Sequence, residues 1–162
     1  MRTLLVVFSL LLLTPVCAQQ STTMQAIQIQ GFGDAEVLEI WEIPRPVPGP
    51  GELLLRVHAA AVNPVDTSVR AGRAGGLSGA QLPYVPGFDV SGVVAATGPG
   101  VDRFEVGDAV FAMLSLRRGG GYAEYAIVLE EEAATKPANV GHTEAASVPL
   151  VKEVIRRSTV ET

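Results

Sequence analysis

Cysteine is almost missing from this chain: Cys17 is the single one in 162 residues. A lone thiol can neither close an intramolecular disulfide nor assemble a thiolate metal centre. Aromatic residues are only 6% of the chain and histidines number two. No basic stripe with interleaved aromatics is visible, so nucleic acid is not an expected partner. The G-x-G-x-x-G spacing that cradles a dinucleotide pyrophosphate occurs nowhere. Gly98-Pro99-Gly100 and Gly119-Gly120-Gly121 superficially resemble phosphate loops, but neither opens a convincing helix, so both read as turns.

The first eighteen residues stand apart. Arg2 supplies a positive start, Leu4–Leu13 is an apolar run, and Pro15 breaks it before the small residues around Ala18. That pattern reads as a secretory signal cleaved after Ala18, with 19–23 as a linker. A spanning helix needs about 20 apolar residues, and Gln19-Gln20 ends the run too early, so no membrane association is expected after cleavage. The expected location is secreted or periplasmic. Cleavage removes Arg2 and leaves 11 basic against 17 acidic residues, a net charge of about −6. What remains is one soluble domain, long enough for a single core.

Strands are predicted at Met24–Gln30, Leu38–Ile43, Glu52–Val62, Val90–Thr97, Ala109–Met113 and Tyr122–Val128, separated by glycine-bearing turns. The run Pro44–Gly51, with four prolines and two glycines, is a stiff connector. Two short helices are predicted. One is capped by Asn63, opened by Pro64 and ended at Gly72; the other begins near Thr143. Short strands divided by such turns predict a mainly β barrel or sandwich.

Five segments in order carry a resemblance: Ala59–Gly72 (AAAVNPVDTSVRAG), Leu82–Val94 (LPYVPGFDVSGVV), Val106–Ala112 (VGDAVFA), Gly120–Val128 (GGYAEYAIV) and Thr143–Val151 (TEAASVPLV). From about Met24 to Val151 the chain resembles the medium-chain dehydrogenase/reductase superfamily, within it the zinc-free, zeta-crystallin-like quinone oxidoreductases. The resemblance implies that 24–151 is a GroES-like catalytic domain, a partly open β-barrel with short helices. It also implies a small-molecule quinone or enone as acceptor and NADPH as hydride donor. In such enzymes a Rossmann domain follows and holds the NADPH. None is readable here, and 152–162 departs from the family pattern, so the expectation is a chain cut short of its cofactor half and inactive alone.

The resemblance also assigns roles. Zinc-dependent relatives place Cys at the position of Asn63 and His-Glu at Phe88-Asp89, so no zinc is expected. Asn63 and Asp66 match residues at the wall of the reactive cleft. Asn63 is expected either to donate to a carbonyl oxygen gaining charge or only to cap a helix. Asp66 either shares that wall or simply pairs with Arg70 four residues on. Asp89 is expected either to bond backbone around it, a structural role, or to take a catalytic part. Ser68, where several relatives carry tyrosine, and Tyr84 are candidates for the substrate pocket, Tyr84 with a packing role as its alternative. His58 and His142 are read as isolated strand and loop residues. The competing expectation is a non-catalytic exported binding module, which self-associates or binds a partner through its uncovered cleft face. A co-chaperonin role would rest on fold analogy alone.

Overall fold

The computed structural model describes residues 22–74 and 79–150. The expected signal segment 1–18 and the tail 152–162 lie outside the described residues. The chain is mainly β. Its strands are β1 (Thr23–Gln28), β2 (Glu39–Pro44), β3 (Glu52–Ala61), β4 (Asp89–Thr97), β5 (Ala109–Met113), β6 (Tyr125–Leu129) and β7 (Ala133–Thr135). The helices are α1 (Pro64–Arg70) and α2 (His142–Ala146).

All pairings are antiparallel. Strands β6, β3, β4, β5 and β7 lie side by side in that order, and β1 pairs with β2 in a separate ribbon. The sheets do not close into a barrel. The ribbon is held to the larger sheet at one edge, where Ile27 N–H donates to the Tyr122 carbonyl at 2.7 Å and Glu124 N–H to the Gln25 carbonyl at 3.0 Å. The segment ahead of β6 therefore pairs with β1, which is why β6 begins at Tyr125 and not at Tyr122 as predicted. Strand β7 was not predicted; three residues, Ala-Ala-Thr, are too few to show alternation.

The main core follows from period-2 alternation. Leu53 and Leu55 of β3, Val90 and Val94 of β4, Val110 and Ala112 of β5, and Ala126 and Val128 of β6 bury one face of the sheet. Each fully buried Leu or Val stabilises the fold by about 1.5–3 kcal/mol relative to exposure. The β3–β4 ladder shifts register twice, between Leu54 and Leu55 and between Val57 and Ala59. Gly92 sits at this irregularity, where an added Cβ would lie 2.1 Å from the Arg56 carbonyl oxygen. Only a residue without a side chain permits that approach.

A second, smaller cluster joins Ile29, Val69, Tyr84 and Phe88 beneath α1. Ile29 and Tyr84 exchange both backbone hydrogen bonds, at 2.8 and 3.0 Å, beside the cis Leu82–Pro83 bond. This cluster fixes α1 against the start of β4.

Candidate functional site

Helix α1 begins where the sequence places it. Asn63 is the N-cap in an extended conformation, Pro64 occupies the first helical position, and Gly72, at φ +71°, follows the end. The Asn63 backbone N–H donates to Asp66 Oδ2 at 2.7 Å, so the acidic residue bonds back onto the cap. The Asn63 amide nitrogen reaches across to β4 and donates to Asp89 Oδ2 at 3.1 Å. The same oxygen accepts the Leu150 backbone N–H at 3.1 Å. Three distant parts of the chain, 63, 89 and 150, thus meet at one carboxylate.

Both aspartates are buried, Asp89 completely and Asp66 at 3% exposure. Each keeps one oxygen, Oδ1, without a hydrogen-bond partner. Burial pushes the Asp66 carboxyl up from its ordinary value, with the Asn63 N–H opposing. Asp89 is pushed up by burial as well; the Leu150 N–H and the Asn63 amide oppose that, and the nearby Asp66 adds to it. Tyr122 borders the pair. Burial raises its phenol, and the Asp66 charge raises it further. The Tyr122 hydroxyl itself donates to the Ala61 carbonyl at 3.3 Å. Gly87, at φ +94°, lets the chain pass: a Cβ there would lie 2.5 Å from the Tyr122 ring.

Asp66 does not pair with Arg70. Arg70 Nε instead donates to the Gly33 carbonyl at 3.3 Å, while Asp66 turns inward to the cap. Ser68 lies half-buried on α1, its hydroxyl bonded back to the Pro64 carbonyl at 3.1 Å. Tyr84 is buried in the second cluster, and its hydroxyl donates to the Leu116 carbonyl at 2.8 Å. It also borders a surface hollow of about 680 Å³ with Pro83, Arg117 and Arg118. The structure therefore joins Asn63, Asp66 and Asp89 directly and anchors Ser68 and Tyr84 on backbone carbonyls.

The two histidines are not isolated. The His58 and His142 rings stack with centroids 4.5 Å apart, and His142 Nδ1 lies 2.8 Å from the fully buried Ser91 hydroxyl. Ser91 Oγ also donates to the Val110 carbonyl at 2.9 Å, so the His142 ring supplies the proton on Nδ1. Burial lowers His142, and the neighbouring His58 and Lys136 lower it further. Positions 58, 91 and 142 lie on β3, β4 and α2; only strand pairing and the packing of α2 bring them together, so no local spacing signals the cluster.

The Gly119–Gly121 run spends its donors internally. Gly119 N–H bonds the Ser115 carbonyl, Gly120 N–H the Val85 carbonyl and Gly121 N–H the Gly87 carbonyl. Such a turn has no amides left for a pyrophosphate. Gly98 N–H is likewise taken by the Glu52 carbonyl. Among the described residues no group of three or more His, Cys, Asp or Glu converges as a metal would require.

The family model described as the alcohol dehydrogenase GroES-like domain matches residues 49–138. The chain is 39% identical over 128 residues to a chloroplastic quinone-oxidoreductase homolog of Spinacia oleracea, covering 78% of this chain and 39% of that one. It is similar to the solved quinone oxidoreductase of Coxiella burnetii, with a TM-score of 0.75 and 32% identity over 78% of this chain and 41% of the other. A mycobacterial protein solved in complex with NADPH aligns with a TM-score of 0.69 and 37% identity, covering 77% of this chain and 36% of that one. The chain thus spans about 39% of the length of the curated relatives it matches.

Proposed function

The chain belongs to the alcohol dehydrogenase GroES-like domain family, with quinone oxidoreductases among its homologues, and from that premise we propose that it is the acceptor-binding domain of a quinone or enone reductase. The observation that carries this reading is the Asn63 amide, held at the N-cap of α1 with its backbone bonded to one buried aspartate and its side chain to another. An acceptor carbonyl oxygen gains negative charge as the acceptor is reduced. A fixed N–H aimed at that oxygen stabilises the charge without having to reorganise.

The described glycine turns offer no cradle for a dinucleotide pyrophosphate: Gly98, Gly119, Gly120 and Gly121 have spent their N–H groups on carbonyl oxygens. NADPH, the ligand of the mycobacterial neighbour, is therefore assigned none of the described residues. The role proposed is confined to the acceptor, which Asn63 orients beside the Asp66 wall, and no zinc takes part. Alone, the chain is expected to be inactive with NADPH and 1,4-benzoquinone. Joined to the dinucleotide-binding portion of a quinone oxidoreductase, it should turn over, and Asn63→Ala in that chimera should cost about a hundredfold to a thousandfold, the range for a lost charge-stabilising donor. Turnover by the 162 residues alone, or a chimera indifferent to Asn63→Ala, would refute the proposal.

One observation favours a second reading, a binding module. Val62, beside Asn63, is 74% exposed and Val148, two residues before Leu150, is 42% exposed. An apolar rim of this kind suits a surface that another polypeptide or a second copy covers. Sedimentation as a monomer at all concentrations would count against self-association. The export reading is tested separately: a mature N-terminus at Gln19 supports it, and an intact Met1 in the cytoplasm refutes it.

A further inference from the structure

An amide side chain has two nearly symmetric faces, one that donates and one that accepts, and a half-turn exchanges them. What Asn63 presents to a bound molecule therefore depends on whatever fixes that half-turn. Asp89 is the neighbour placed to do so. It is fully buried, lies on the first residue of β4, and its Oδ2 stands 3.1 Å from Asn63 Nδ2. An ionised carboxylate only accepts, so it binds the nitrogen end of the amide and repels the oxygen end. The backbone of Asn63 is pinned independently by Asp66, so the side chain cannot swing away with its Cα. Asp89 is itself held from the far side by the Leu150 N–H.

We propose that Asp89 is a positioning residue that sets the donor sense of Asn63, engaging one hydrogen of Nδ2 and leaving the second to face the acceptor oxygen. This second hydrogen has no protein acceptor among the described residues. The assignment selects the substrate class: a ligand atom at this position must accept a hydrogen bond, as a quinone or enone carbonyl does, and a ligand that offers only a hydroxyl hydrogen is disfavoured. The inference rests on the acceptor reading above for the identity of the ligand, but the clamp exists without it.

The test uses the full chain, isotopically labelled, by nuclear magnetic resonance. In the wild type a coupling through the hydrogen bond should link Asn63 Nδ2 to Asp89 Cγ, and one Asn63 amide hydrogen should exchange with solvent at least about tenfold more slowly than its twin, as one bond of about 1.4 kcal/mol demands. Asp89→Ala should abolish that inequality while Asp89→Glu, which keeps an acceptor-only group, restores part of it. No coupling, equal exchange of the two hydrogens in the wild type, or inequality persisting in Asp89→Ala would overturn the proposal. The first two measurements need no variant, so a misfolded Asp89→Ala does not blunt them. Titration with 2-cyclohexen-1-one separates the two claims: the faster-exchanging hydrogen should shift, and a present coupling with an unmoved hydrogen would contradict the acceptor reading alone.

Discussion

The two faces of β4 meet burial in opposite ways. Val90 and Val94 point into the main core and are stabilised by leaving water. Asp89 and Ser91, equally buried on the alternate positions, gain nothing from an apolar surrounding and are held by hydrogen bonds. Asp89 bonds Asn63 at the start of α1 and the Leu150 N–H beyond α2, while Ser91 bonds His142 on α2. One face of a single strand thus supplies cohesion, and the other fixes where two helices and their polar groups stand. The difference teaches that a buried polar face costs stability and returns position, which is what a binding wall needs.

The comparison sharpens when each face is cut. The largest effect belongs to the apolar side: Leu55→Ala should lower unfolding free energy by about 2–5 kcal/mol, read as a lower denaturant midpoint, because Leu55 is fully buried in the main core. Gly92→Ala should follow at about 1–3 kcal/mol, because its Cβ would meet the Arg56 carbonyl oxygen. On the polar side Ser91→Ala should cost about 1–3 kcal/mol, since it takes from His142 Nδ1 its partner and from the Val110 carbonyl one of its hydrogen bonds. Smallest is Glu132→Gln, which weakens the 3.4 Å contact to the part-exposed Arg118 and should change stability by under about 1 kcal/mol. If Ser91→Ala proves costlier than Leu55→Ala, the division between the two faces is wrong.

Acid distinguishes the two polar anchors by sign. His142 is lowered in the folded chain, so the unfolded chain binds more protons just below the ordinary histidine value. Its contribution is present above about pH 6.5 and is lost as pH falls through that value towards the lowered one. Asp66 and Asp89 are raised, so over their window, above the ordinary aspartate value, the folded chain binds more protons. They contribute stability at the acid end that disappears as pH rises through their raised values. Denaturation midpoints followed with pH should show the histidine slope vanish in His142→Gln and the opposite carboxylate slope shrink in Asp89→Asn. A slope of the same sign from both would contradict the burial argument.

Much of the fold was legible because it is written in local pattern. The largely apolar run Glu52–Val62 and the short run Ala109–Met113 between glycine-bearing turns mark strands, and Asn63-Pro64 with Gly72 brackets α1. Asn63 and Asp66 were legible through the family resemblance, and the structure joins them. The Asp66–Arg70 pairing was expected from spacing of four, but burial of Asp66 under the cap overrides a surface attraction of a few tenths of a kcal/mol. The triple junction at Asp89 and the Ser91–His142–His58 group were illegible. Their contacting members lie from 26 residues apart, Asn63 and Asp89, to 84 apart, His58 and His142, and their meeting depends on strand register and on where α2 docks.

Calorimetric titration of the full chain with NADPH tests the central claim most directly. A domain that supplies only the acceptor wall should show no saturable uptake of NADPH, while 2-cyclohexen-1-one binds weakly and loses that binding in Asn63→Ala. Stoichiometric, saturable NADPH binding by these 162 residues would contradict it.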